Sequence, residues 1–178
     1  TDEERGGLGA QKLAKKECPI PFLKYMIQLD RHGSCDCVFY DCANGDFIKF
    51  VSQYGFIEAL GSFSDISFLM PAWGICGTNL SVGYFNEHST SEILNVNILF
   101  TTIEKVKTML REAHQAPQFQ YREISDRLKN YFAEFGMPYK DADPGKECSC
   151  CGKYFFEFEL VPTKSKDKSK MLYYCPDC

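Results

Sequence analysis

Two adjacent carboxylates, Glu3 and Glu4, run directly into the glycine-rich turn Gly6-Gly7-Leu8-Gly9. Adjacent side chains at the end of an extended strand point in opposite directions. One carboxylate can then hold a metal while its neighbour faces the water that the metal activates, which is the division of labour of metal-assisted hydrolysis. Two more residues of ligand type follow strand-like apolar runs. Asp30 ends the run Phe22–Leu29, and His88 lies in the polar loop Gly83–Glu92, ahead of a long amphipathic stretch. Asp65 sits in a further loop, Ser62-Phe63-Ser64-Asp65, where it serves either a site or only its own turn. In open α/β sheets, groups beyond the carboxyl ends of strands converge on one ligand site even when they are distant in sequence.

The ten cysteines form two groups. Cys18, Cys35, Cys37, Cys42 and Cys76 are scattered among apolar residues, the pattern of reduced, buried thiols in a cytoplasmic protein. Cys148/Cys151 and Cys175/Cys178 are two C-x-x-C pairs, each fit to present both sulfurs to one ion. The pairs predict a zinc ribbon with one structural zinc on four thiolates. Cys150 is left over: it reads as a free thiol, the alternative being that it replaces a neighbour as ligand. A pair of disulfides is the competing arrangement, and it suits only an oxidising compartment. Between the pairs, Tyr154–Val161 and Met171–Tyr174 are expected as the strands of a hairpin whose tip carries Lys164, Lys166, Lys168 and Lys170. Such a tip is either solvated or touches nucleic acid or an acidic partner.

A chain of 178 residues, 44% hydrophobic and 15% aromatic, has material for one sizeable domain and a small appendage. A net charge of −4 disfavours nucleic acid as the main partner, and no apolar run reaches the length of a membrane span. The reading along the chain is a turn and short helix over Gly6–Lys16, strands at Phe22–Leu29, Cys37–Tyr40 and Phe56–Leu60, and a helix at Phe47–Tyr54. An apolar segment covers Pro71–Val82. The clearest helix begins near Ser91, with Val96, Leu99, Ile103, Val106 and Leu110 as its apolar stripe. A second helix is expected over Tyr121–Phe135. These elements predict an α/β fold over residues 1–138, a three-layer sandwich on a mostly parallel or mixed sheet. A linker follows at 139–146 and a zinc ribbon at 147–178.

The carboxylate pair with its glycine turn, the Asp after the next strand, the Ser-Asp loop and the His before the amphipathic helix occur in one order. In this the chain resembles the di-zinc exopeptidase superfamily, in its aminopeptidase branch without a lid domain, over Thr1 to His114. The resemblance implies that Glu3 is the general base and that Glu4 and His88 bind one zinc. It implies further that Asp30 binds the second zinc and that Asp65 belongs to a loop beside the site, although Ile66 stands where relatives often have His. The 58 positions from Asp30 to His88 leave no room for an inserted dimerisation domain. The substrate implied is a peptide or an acyl-amino acid. The same pattern calls for a His-x-Asp element and a bridging Asp upstream, and none of His32, His88 and His114 is followed two residues later by Asp. The resemblance therefore implies the C-terminal part of a catalytic domain, inactive alone. The alternative from a different class is a non-catalytic binding module whose zinc ribbon contacts nucleic acid or a protein partner.

Overall fold

The computed structural model of the chain describes residues 6–125, 130, 134, 146–156 and 159–178. Helix α1 (Leu8–Ala14) follows the glycine turn and stops ahead of the Pro19-Ile20-Pro21 run, as the sequence predicts. Strand β1 is Met26–Arg31, so it starts later than expected and keeps Asp30 inside the strand. Pairing sets that boundary. β1 lies parallel to β4 (Gly77–Ser81) from Met26 opposite Gly77 onward, and reaches Arg31 opposite Ser81 through an irregularity after Gln28. β2 (Asp36–Val38) runs antiparallel to β4, and β3 (Ile57–Glu58) runs parallel to β2. The result is a mixed four-stranded sheet in the order β1-β4-β2-β3, with helices packed on it.

Helix α2 (Gly45–Ser52) starts where the Asn44 side chain accepts from the Phe47 amide at 3.1 Å, satisfying a first-turn donor. It buries Phe47, Ile48 and Val51. Helix α3 (Asp65–Trp73) corrects the sequence reading, which had a loop to Asp65 and a single apolar segment from Pro71. Pro71 lies within α3 and Gly74 ends it in the left-handed region, so the segment divides into the end of a helix and strand β4. A proline inside a helix removes a hydrogen bond and so reads as a break. Here the first turn is fixed independently, because the Ser67 hydroxyl donates to the Ser64 carbonyl at 2.6 Å and accepts from the Ser64 amide at 3.2 Å.

A short hairpin, β5 (Tyr84–Phe85) and β6 (Ile93–Leu94), precedes α4 (Val96–Glu112), which delays the helix relative to Ser91. The expected apolar stripe is also corrected. Val96 and Leu110 are 54% and 58% exposed, and the buried face is Thr102, Val106 and Met109. Thr102 turns inward because its hydroxyl donates to the Ser81 carbonyl at the end of β4, at 3.0 Å. The helix is thereby rotated away from its simplest apolar alignment. Beneath it, Tyr25, Phe47, Phe50 and Phe119 form an aromatic group with ring centroids 5.2 to 6.4 Å apart. The Tyr25 hydroxyl donates to the Met109 carbonyl at 2.8 Å, so its polar end is satisfied.

The helix expected over Tyr121–Phe135 is not helical at its start. Glu123 and Ile124 form single bridges to Cys42 and Tyr154, linking the sheet unit to the cysteine-rich unit. Most of the remainder of that stretch, and the linker apart from Lys146, lie outside the described residues. In the tail, the expected first strand Tyr154–Val161 divides. β8 (Tyr154–Phe155) pairs with β7 (Lys146–Glu147), whereas β9 (Val161–Lys164) pairs with β10 (Met171–Tyr174). Among the described residues no helix is long and apolar enough to cross a membrane.

Candidate functional site

Asp30, Asp65 and His88, drawn from three separate segments, line one polar cleft of about 460 Å³. Gly7 forms part of its wall. A β-carbon at Gly7 would stand 3.0 Å from Asp65 Oδ1, so the turn before α1 packs directly on the start of α3. Glu3 and Glu4 lie outside the described residues.

Each placement has a local cause. Asp30 stands at the end of β1, where the Asn79 side chain on neighbouring β4 accepts from its amide at 3.0 Å and donates to its carbonyl at 3.2 Å. Asn79 Nδ2 also reaches the Tyr40 hydroxyl at 3.2 Å and the Ser64 hydroxyl at 3.4 Å, so one buried amide joins β1, the turn after β2 and the start of α3. The Asp30 carboxylate accepts from Gln28 Nε2 at 3.1 Å, while Gln28 Oε1 accepts from the Ile66 amide at 3.0 Å. The aim of Asp30 is therefore tied to the first turn of α3.

His88 sits in the loop of the β5–β6 hairpin with φ of 59°, two residues after Asn86 with φ of 58°. Such left-handed residues are uncommon outside glycine and need local support. The support is a set of loop hydrogen bonds, including the His88 amide to Glu92 Oε2 at 3.2 Å and the Ser89 hydroxyl to the Asn86 carbonyl at 2.6 Å. The hairpin is held to the end of β1 by Gly33 N to Tyr84 O and Gly83 N to Gly33 O, both 2.9 Å.

Other cleft residues escaped the sequence reading, among them Arg31, His32, Tyr84 and Glu87. His32 Nδ1 lies 3.3 Å from Glu87 Oε1, joining the turn after β1 to the loop that carries His88. The Tyr84 hydroxyl donates to the Asp30 carbonyl at 3.3 Å. Burial, then the Asp30 and Glu87 carboxylates, push its pKa up. The signal available was that His32 and Glu87 are near neighbours in sequence of Asp30 and His88. Arg31 stands behind them, with Nη2 donating to the Leu60 carbonyl at 3.2 Å and Nε 3.7 Å from Asp36 Oδ2.

The tail places its four paired cysteines together. The sulfurs of Cys148, Cys151, Cys175 and Cys178 all lie within 4.8 Å of one another, and Cys151 Sγ is 3.8 Å from Cys175 Sγ. Tetrahedral zinc with Zn–S bonds of about 2.3 Å would set its sulfurs roughly 3.8 Å apart, so the cluster fits such an ion. The Cys148 sulfur accepts backbone amides from Cys175 at 3.3 Å and Cys150 at 3.5 Å. Burial pushes the Cys148 thiol up, but amide donation from Cys151, Cys150 and Cys175 outweighs it and brings the value down to about 6. A thiol held as thiolate is the form a metal takes. Cys150 is exposed and outside the four-sulfur group. Among the described residues this is the one group of three or more ligand side chains drawn together closely enough for a metal; Asp30, Asp65 and His88 share a cleft without forming such a group.

In comparisons with known proteins, no family model, no curated protein and no solved structure matches the chain.

Proposed function

We propose that the sheet unit is the later portion of a metal-dependent, aminopeptidase-like hydrolase cleaving peptide or acyl-amino bonds, and that the tail is a structural zinc ribbon. In this reading the mixed sheet is the middle of a three-layer sandwich. The observation that carries it is the convergence of Asp30, Asp65 and His88 on a cleft whose wall includes Gly7, three positions after Glu4.

Asp30 would hold one zinc, and Glu4 with His88 the other; these oxygen and nitrogen donors suit zinc, and equally manganese or cobalt. Metal bound there supplies an acidified water and a Lewis acid for the scissile carbonyl. The chain's own residues do the rest. Gln28 aims Asp30, and the His32–Glu87 pair steadies the loop carrying His88. Glu3 is the general base, taking a proton from the attacking water and returning it to the leaving amine.

The test is aminoacyl-p-nitroanilide hydrolysis by the complete reading frame that contains this chain, supplied with zinc. Glu3→Gln should lower kcat by about 10²- to 10⁴-fold, the ordinary contribution of a general base. Unchanged turnover in that variant would refute the assignment.

The binding-module reading has one observation in its favour: Lys164, Lys166, Lys168 and Lys170 are all exposed around the β9–β10 turn, where Asp167 caps the tip through Ser165 and Ser169. Retention on nucleic acid that falls steeply with salt would support it.

A further inference from the structure

We propose that Cys42 and Cys76 are a redox-modification site, a pair of thiols that hydrogen peroxide converts to a disulfide within the folded sheet unit. Their sulfurs lie 3.4 Å apart, and both residues are fully buried under the strip of residues 120–123, so peroxide reaches them only when that strip opens. They come from positions 34 apart in sequence, Cys42 from the turn after β2 and Cys76 from the residue preceding β4. Backbone bonds fix both: Cys42 N to Phe39 O at 3.1 Å and Cys76 N to Phe119 O at 2.9 Å. The sulfurs have to close from 3.4 Å to the roughly 2.0 Å of a disulfide bond.

The reaction balances with one peroxide. One sulfur attacks a peroxide oxygen, the O–O bond breaks, and water leaves with the released proton, giving a sulfenic acid. The second sulfur attacks the first, the S–O bond breaks, and a second water carries away the remaining proton. The two thiols lose two electrons in all and the peroxide gains them.

The pair lies under a particular strip of chain. The Cys76 thiol donates to the Gln120 carbonyl at 3.0 Å, Ala43 N bonds to Arg122 O at 2.8 Å, and Glu123 bridges Cys42. The next residues, Ile124 and Ser125, pair with Tyr154 of the cysteine-rich unit. Forming the disulfide takes away the Cys76–Gln120 bond while stapling the turn after β2 to the start of β4. Oxidation thus stiffens the sheet unit and loosens the strip that joins it to the metal-binding tail. The inference is independent of the hydrolase reading.

The experiment treats the zinc-loaded chain, its four ribbon thiols protected by metal, with hydrogen peroxide, and digests it without reductant. The expected product is a peptide pair joined through Cys42 and Cys76, two hydrogens lighter than its parts and separated by dithiothreitol. It should come with a rise in Tm of about 10 °C, as a cross-link over this span gives in the chain-entropy picture. Exposed Cys150 serves as the internal measure of peroxide dose. Cys42→Ala and Cys76→Ala should each lose the linked peptide and the rise. Because either variant can disturb the core, the reduced wild-type chain is also refolded in peroxide, where the same pairing should dominate over pairs with Cys35 or Cys37. Oxygen addition at Cys42 or Cys76 without linkage, absence of the linked peptide in folded protein whose Cys150 has fully reacted, or a different pairing after refolding would each overturn the proposal.

Discussion

Gln28 and Asp30, two residues apart on β1, are joined side chain to side chain: Gln28 Nε2 donates to Asp30 Oδ2 at 3.1 Å, and the other end of the same amide holds the Ile66 backbone. A strand has turned both side chains to one face, as residues i and i+2 must be, and the sheet has brought α3 to meet them. The carboxylate proposed to bind metal is therefore oriented by a neutral group that takes no part in binding.

Gln28→Leu should separate aim from identity at Asp30. Residues supporting a metal ligand typically contribute about 10- to 100-fold in affinity or activity. Isothermal titration of zinc into the complete reading frame should show weakening on that scale at the cleft and none at the tail. Equal affinity in the variant would mean that Asp30 is not a ligand.

The tail should depend on metal for its fold. Cys175→Ser should lower bound zinc from one per chain and leave residues 146–178 open to protease, because so small a unit draws much of its folding energy from the ion. Cys150→Ser should retain the metal in full. Elemental analysis after gel filtration checks both.

Alkaline stability should reveal the buried Cys37. Burial, with Glu58 and Asp36 next, pushes this thiol from the ordinary 9.0 up to about 12. Between those two values the unfolded chain loses a proton that the folded chain keeps. The sign is then set: the contribution is fully present below pH 9 and is lost as pH rises toward 12. Tyr54, raised to about 12 by burial and its hydrogen bond to Glu112, acts in the same direction from pH 10. Chemical unfolding from pH 8 to 11 should show falling stability, with a shallower fall in Cys37→Ala.

Gly83→Ala should damage the cleft from outside it. Gly83 has φ of 93°, and a β-carbon there would lie 2.8 Å from Asn95 O and 2.9 Å from Ile98 Cβ. Left-handed strain together with backbone overlap should cost about 2–4 kcal/mol. Urea unfolding measures that loss. An unchanged midpoint would show that the junction between β4 and α4 is looser than the geometry states.

The local signals in the sequence were enough to find α1, α2 and the presence of β1 to β3, because glycines, prolines and short apolar runs act within a few residues. Two C-x-x-C pairs were enough for the four-sulfur cluster, since a C-x-x-C turn carries both its sulfurs wherever it goes. Asp30, Asp65 and His88 could be picked out by type and order, and the α/β pattern predicts that they converge, but not the shape of the cleft in which they meet. That depended on the parallel register of β1 on β4, a pairing between residues some 50 positions apart. The same long-range contacts turned Thr102 inward and left Leu110 outside, divided the strand expected after Tyr154, and set Cys42 against Cys76. Spacing along a chain determines which side chains can share a face of one element; only packing between elements decides which faces meet.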